Sequence, residues 1–324
     1  MCFANASIPP IKIPAYSKFV SFPNLLLPKS AGLNLELGED AFGSLKSSAD
    51  IIRDPKRLRE RLLEEGYLYL QGFLDRDAVL RARDSITKRL GAEGLLHPDY
   101  PAFEGVANPE KRTTFRPDLA FGNRAIENLI YGPKVTKFYR TLLGGPIRHY
   151  DFTWFRPVGP GKGTPPHCDL VYMGRGTKQV FTMWVPYGDI SLELGGLMIL
   201  EDSHKKSDLL HNYLRRDVDS YCLNRPGAEE AKAKERSVWD GWLARNPVTL
   251  RQKLGGRWLT AEFQIGDVVT FGMTVVHASL DNQTDRIRFS SDSRYQLASE
   301  AVDNRWVGPK PPGHSSAGKL GRIC

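Results

Sequence analysis

The sequence predicts a mainly β protein with flanking helices, its strands forming a sandwich or barrel such as a double-sheet jelly roll. Two observations carry this. Past Gly144-Gly145, short runs rich in β-branched and aromatic residues alternate with Gly and Pro turns. Before that point the apolar residues recur at helical spacing instead.

Residues 1–50 are rich in Pro, Ser and Gly and hold no sustained period, which predicts an extended N-terminal arm. Asp54-Pro55 then offers a cap and a proline for the first turn of a helix. Leu58, Leu62 and Leu63 give that helix its apolar face, and Gly66 ends it. Tyr67 to Gln71 reads as a short strand. A second helix runs from about Asp77, with Val79, Ala82, Ile86 and Leu90 on one face and Gly91 as its stop. Two more helices are predicted near 124–131 and 133–143. The β runs follow: His149–Arg156, Cys168–Met173, Gln179–Val185, Gly196–Leu200, Trp258–Phe263, Val268–Phe271, Val275–Leu280 and Ile287–Leu297. The stretch at about 202–256 carries a charged helical pattern from Ala228 to Arg245. It reads as an insertion between strands, of the kind that often forms lids. Residues 51–300 read as a single domain and 301–324 as a surface tail rich in Gly, Pro and Ser.

The 324 residues are 41% hydrophobic and 25% charged, as in a soluble globular protein. No apolar run approaches the roughly eighteen residues of a membrane helix, and Leu25–Leu27 is too short for a signal-peptide core. Four scattered cysteines form no CxxC pair, so no disulfide framework or zinc finger is indicated. A cytoplasmic location fits. The formal charge of +8 suits an acidic ligand or simple solubility. Basic residues are not gathered with aromatics into a stripe, which argues for a small-molecule substrate and against nucleic acid. Oligomeric state is not legible.

The chemistry centres on Pro165-Pro166-His167-Cys168-Asp169. On an extended strand, residues two apart face the same side, so His167 and Asp169 can reach one ion. His277, in Val275-Val276-His277-Ala278-Ser279, can supply a third ligand from a neighbouring strand. Two histidines and a carboxylate make a facial triad with positions left open for a chelating co-substrate and O2. The same ligand types can also hold zinc in a hydrolase. Arg288, eleven positions after His277, favours the first reading. A guanidinium buried in a small barrel needs an anion, and the distal carboxylate of 2-oxoglutarate supplies one. Ser290, two residues along, can add a hydrogen bond. An internal pair with Asp292 is the alternative role for Arg288, and Arg286 is the alternative anchor.

The order His167-x-Asp169, His277, Arg288 resembles the phytanoyl-CoA dioxygenase family of Fe(II)/2-oxoglutarate oxygenases. Gly66–Leu74 is similar to the family's N-terminal strand, and Phe181–Val185 with Gly195–Met198 to its central strands. Glu201-Asp202-Ser203-His204 stands where the family usually carries Pro-Gly-Ser-His, a departure in the local turn. The similarity spans roughly residues 60–300. It implies a double-stranded β-helix (jelly roll, cupin-like) packed against N-terminal helices. It also implies Fe(II) ligands at His167, Asp169 and His277, and a 2-oxoglutarate anchor at Arg288. Trp184 stands where the family places a tryptophan beside the co-substrate. Thr182 shares its strand face and could bond the bound acid. His204 could serve the substrate, although a histidine opening a helix is more often structural; Tyr150, Thr153 and Trp154 could line the pocket, and packing explains these three equally well. The implied reaction is hydroxylation of an unactivated C–H bond of a small acyl or natural-product molecule, releasing succinate and CO2. Asp169 favours oxygenation over halogenation, since related halogenases lack this carboxylate. The competing readings are a catalytically silent binding module of the same fold and a zinc hydrolase on a cupin-like barrel.

Overall fold

The computed structural model describes residues 27–113, 115–220 and 239–314. The first strands are short: β1 (Lys29–Ser30) pairs with β2 (Leu33–Asn34), and β3 (Phe42–Ser44) joins a sheet further on. Helix α1 (Pro55–Glu65) starts as its sequence requires. Asp54 accepts hydrogen bonds from the amides of Lys56 and Arg57, and Gly66 ends the helix at φ +79°. Strand β4 (Tyr67–Leu70) follows, then α2 (Arg76–Ala92), α3 (Arg124–Ile130) and α4 (Pro133–Leu143). The predicted faces of α1 and α2 are buried where expected, with Leu58, Val79, Ala82, Ile86 and Leu90 all in the core, while Leu63 is exposed.

The remaining elements are β5 (Ile147–His149), β6 (Trp154–Val158), the single turn α5 (Leu170–Met173), β7 (Phe181–Pro186) and β8 (Leu197–Leu200). After these come α6 (Ser207–Leu214), α7 (Pro247–Leu254), β9 (Trp258–Thr260), β10 (Val268–Gly272), β11 (His277–Ser279) and β12 (Arg288–Leu297). Two sheets result. The larger has the order β4-β10-β7-β12-β5, with β6 also paired to β12. The smaller is β11-β8-β9-β3.

Alternation along the strands sets out the layers. Leu68 and Leu70 of β4, Met183 and Val185 of β7 and Phe289 and Tyr295 of β12 join the core beneath α1–α4. The opposite residues, Tyr67, Tyr69, Trp184, Val269 and Phe271, meet Leu197, Ile199 and Leu259 of the smaller sheet. The two sheets therefore face each other. Met198, Leu200, Trp258 and Ala278, on the far side of the smaller sheet, pack under Leu210, Tyr213, Leu250 and Leu254 of α6 and α7. The 202–256 stretch thus caps one sheet.

Several expectations need correction. Cys168–Met173 is not a strand. Asp169 has helical dihedrals (φ −64°, ψ −25°) and leads into α5. A short apolar run buried on all sides has no period to separate strand from helix. His149–Arg156 splits into β5 and β6, and the second helix runs one residue past Gly91. The 301–324 tail is not all surface: Asp303, Arg305 and Trp306 are buried, because Arg305 finds Asp303 and Asp219, and Trp306 packs on Trp154 at 4.7 Å. Composition alone could not name those partners. Most of the Ala228–Arg245 helical pattern lies outside the described residues, as does 1–26 of the arm; the described end, 239–245, is not helical. Among the described residues, no helix is long and apolar enough to cross a membrane.

Candidate metal and co-substrate site

His167 and His277 are drawn together by their own backbones, each amide donating to the other's carbonyl at 3.0 Å. Their rings lie 4.2 Å apart. Asp169 completes the group, its Oδ1 3.9 Å from His277 Nε2. One candidate ligand atom from each of the three residues lies within 4.8 Å of the others, and all three residues are buried. The sequence reading placed His167 and Asp169 together on a strand. The structure brings them together by a β-bridge at His167 and a helical turn at Asp169.

Each imidazole is oriented by a carbonyl. His167 Nδ1 lies 2.8 Å from Pro165 O, and His277 Nδ1 lies 3.1 Å from Val275 O. A ring nitrogen facing a carbonyl must carry the proton, which leaves each Nε2 lone pair free. Burial, with His277 beside it, pushes the His167 pKa down to about 3, and burial likewise lowers His277. Burial opposes ionisation of Asp169 too. Arg294, the two histidines and Thr182 outweigh it and hold the carboxyl well below the usual carboxylate range. Arg294 Nη2 reaches Asp169 Oδ2 at 3.0 Å, and the Thr182 hydroxyl donates to the same oxygen at 2.5 Å. The ion pair and the hydrogen bond both fall on Oδ2, so Oδ1 is the oxygen left for a ligand. The proton of Thr182 is thus committed to Asp169, rather than to the bound acid predicted for it.

Insertion and loop meet here as well. The amide of Cys168 donates to Tyr213 Oη at 2.9 Å, and that hydroxyl donates to Gly241 O. Leu243 N donates to Pro166 O at 2.8 Å. The 202–256 segment therefore braces the loop that carries two of the three ligand-type residues.

Arg288 starts β12 with only 2% of its surface exposed. Its Nη1 donates to Gly195 O, but among the described residues Nε has no partner, and neither has the Ser290 hydroxyl two residues along the same face. Burial, with Arg156 nearby, lowers its pKa to about 10, so the guanidinium stays charged at neutral pH. Both alternatives weighed from sequence fall away. Asp292 bonds Arg156 Nε at 2.8 Å instead, and Arg286 pairs with Glu104 at the surface, 3.1 Å away.

The other named residues divide. Trp184 is buried between the sheets against Phe263, 4.6 Å away. His204 Nε2 lies 3.0 Å from Leu63 O at the end of α1, a packing role. Thr153 bonds Tyr131 Oη, and Trp154 lies under the guanidinium of Arg294 at 4.4 Å. Tyr150 is buried with its hydroxyl unpartnered among the described residues. Sequence reasoning missed Arg294 and the Arg156–Asp292 pair. The available signal was the alternation of Arg288, Ser290, Asp292 and Arg294, four polar residues on one strand face.

Comparison with known proteins adds to this geometry. The profile of the phytanoyl-CoA dioxygenase (PhyH) family matches residues 62–290. A 1-deoxypentalenic acid 11-beta-hydroxylase of Streptomyces exfoliatus is 25% identical over 297 residues, covering 86% of this chain and 94% of the relative. Among solved structures, the non-haem alpha-ketoglutarate-dependent carbocyclase SnoK of nogalamycin biosynthesis matches with a TM-score of 0.53 at 18% identity, covering 76% of this chain and 85% of the other. EctD from S. alaskensis, solved with 2-oxoglutarate and 5-hydroxyectoine, matches with a TM-score of 0.50 at 17% identity, covering 90% of each chain.

Proposed function

Since this chain belongs to the phytanoyl-CoA dioxygenase family, and is thus a 2-oxoglutarate-dependent non-haem iron oxygenase, we propose that it hydroxylates an unactivated C–H bond of a small acyl or natural-product molecule, with release of succinate and CO2. His167, Asp169 and His277 hold Fe(II), and Arg288 anchors 2-oxoglutarate. In this reading the two facing sheets form the double-stranded β-helix, and residues 51–300 are one oxygenase domain.

The observation that carries the reading is Arg288: a buried cation with no carboxylate in contact among the described residues, beside an equally unpartnered Ser290 hydroxyl. Protein interiors rarely leave such groups unmatched. A dicarboxylate chelating a metal at the triad would supply the missing acceptor. The donor set fits ferrous iron, with two neutral imidazoles presenting Nε2 and one carboxylate oxygen left free of other bonds.

Bound Fe(II), with 2-oxoglutarate and O2, supplies the oxidising power for a C–H bond. The chain's own contribution is position and environment. Pro165 and Val275 carbonyls fix the tautomers. Arg294 and Thr182 occupy Asp169 Oδ2 and keep the carboxylate ionised. Arg288 and Ser290 fix the far end of the co-substrate, and so its orientation. No side chain is needed as a general base. The name of the curated relative, a hydroxylase, supports hydroxylation as the outcome.

The test is Fe(II)-dependent conversion of 2-oxoglutarate to succinate. His167→Ala and Asp169→Ala should each abolish it. Turnover retained by either variant would overturn the ligand assignment.

A further inference from the structure

Asp169 is held by more than its orientation requires. The Thr182 hydroxyl fixes Oδ2 through a hydrogen bond, yet a guanidinium stands on the same oxygen. The register of the larger sheet explains the coincidence. Arg294 of β12 is the direct cross-strand partner of Thr182 of β7, so both side chains leave the sheet toward one point. Arg294 is 1% exposed, and Trp154 covers its guanidinium at 4.4 Å. Among the described residues its Nε and Nη1 have no acceptor, and Asp169 is its sole ion-pair partner. A guanidinium buried with one partner is costly. A neutral donor such as an amide or a hydroxyl would orient the carboxylate without that cost.

What the charge adds is an effect on an ion. His167 and His277 present neutral imidazoles, and Asp169 is the single anion of the three ligand-type residues. Its charge is opposed at 3.0 Å by that of Arg294, which is also felt at His277. The other charges felt at the two imidazoles come as a pair. Arg156 reaches His167 and Asp292 reaches His277, and these two bond each other at 2.8 Å. The set therefore offers a metal close to no net charge. Such a set holds a doubly charged ion through its donor atoms and resists a third charge, because the buried guanidinium repels each added charge in proportion.

Resting on the oxygenase reading above, we infer that Arg294, acting through Asp169, holds the centre ferrous. It raises the Fe(III)/Fe(II) potential and slows the idle passage of one electron from Fe(II) to O2, which would leave Fe(III) and superoxide. Coulomb's law at an effective dielectric constant of ~20 and a separation of roughly 6 Å gives ~100-fold in the ratio of Fe(III) to Fe(II) affinity. At about 59 mV per tenfold this is a midpoint change of ~120 mV.

The experiment uses the full-length protein loaded anaerobically with Fe(II) alone. The midpoint is measured by mediated redox titration, read from the electron paramagnetic resonance signal of high-spin Fe(III). Loss of Fe(II) in air is followed with a ferrous-specific chelator. Arg294→Gln, which keeps a donor and drops the charge, should lower the midpoint by ~120 mV and lose Fe(II) to air faster. Arg294→Lys should stay near the unmutated value, as should Thr182→Val, which drops a neutral bond and keeps the charge. A residue that merely props up Asp169 would weaken Fe(II) and Fe(III) binding alike and leave the midpoint still. An unmoved or raised midpoint in Arg294→Gln overturns the inference, and so does oxidation in air no faster than that of the unmutated protein. A fall of the same size in Arg294→Lys or Thr182→Val also overturns it. Should Arg294→Gln fail to fold, Trp154→Leu keeps the ion pair and admits water to the guanidinium. It should lower the midpoint in the same direction, and an unmoved midpoint there overturns the inference. Failure of the underlying reading shows separately: the unmutated protein would then bind no stoichiometric Fe(II), or bind it equally well after His167→Ala.

Discussion

Replacing Arg288 by Met should move stability and co-substrate affinity in opposite directions. In the free protein the guanidinium is buried and, among the described residues, has one hydrogen bond, to Gly195 O, and no carboxylate in ion-pair contact, although the charges of Asp281 and Asp292 reach it. Exchanging a buried charged group for an apolar one of similar volume often stabilises by about 1–4 kcal/mol. Losing the bond to Gly195 O and leaving that carbonyl unpaired removes about 1 kcal/mol or somewhat more of this. A net gain of about 1 kcal/mol remains, which raises Tm by roughly 1–2 °C in a chain of this size. Binding behaves differently. Two charge-assisted hydrogen bonds to a carboxylate contribute about 1.5–3 kcal/mol each, so their loss should raise the 2-oxoglutarate Kd by ~100–1,000-fold or more. Metal affinity should change far less. The assays are thermal unfolding of the metal-free protein and anaerobic calorimetric titration of the Fe(II) form. An unchanged 2-oxoglutarate affinity, or a stability that falls along with it, would refute the argument that this cation waits for an external anion.

Three further outcomes follow from the same geometry. Thr182→Val removes the hydrogen bond to Asp169 Oδ2, leaving the Arg294 ion pair, and should weaken Fe(II) binding by ~10–100-fold, the range for groups that orient metal ligands; direct metal titration checks it, and wild-type affinity would contradict it. Gly195→Ala should lower both stability and 2-oxoglutarate affinity, because Gly195 has φ +83° and a Cβ there would lie 2.6 Å from Leu280 O, displacing the carbonyl that Arg288 holds; a variant folding and binding as the wild type would count against that contact. Finally, the buried imidazoles make the metal-free protein sensitive to acid. His167 has its pKa depressed from 6.5 to about 3 in the folded state, and His277 is lowered as well. The unfolded chain therefore takes up these protons first. Stability is fully present above pH 6.5 and falls as the pH drops toward about 3, by about 1.4 kcal/mol per pH unit from His167, with His277 acting in the same direction. Urea unfolding between pH 7 and pH 4 measures the slope, and a flat profile would contradict neutral burial.

Much of the site was legible because its chemistry is carried by few residue types at fixed intervals. The pair two apart at His167 and Asp169 and the arginine eleven beyond His277 mark the convergence without any knowledge of the chain path. The N-terminal helices were legible for local reasons: Asp54-Pro55 and Gly66 punctuate α1, and the spacing of Val79, Ala82, Ile86 and Leu90 fixes the face of α2. What stayed hidden depends on tertiary partners. Leu170–Met173 has no polar position to show a period, so strand and helix look alike there. Trp306 and Arg305 sit in a stretch of tail-like composition, and only Trp154 and Asp219 make them interior residues. Arg294 looked like one of many basic residues until the fold set it behind Asp169. Thr182 stood on the predicted face, yet its acceptor turned out to be a protein carboxylate.

A crystal grown anaerobically with Fe(II) and 2-oxoglutarate tests the central assignment most directly. It should place one metal within about 2.0–2.2 Å of the Nε2 atoms of His167 and His277 and of a single Asp169 oxygen, with the distal carboxylate of 2-oxoglutarate on the Arg288 guanidinium. A metal bound elsewhere, or an Arg288 turned to Asp292 while the co-substrate's far end lies free, would contradict it.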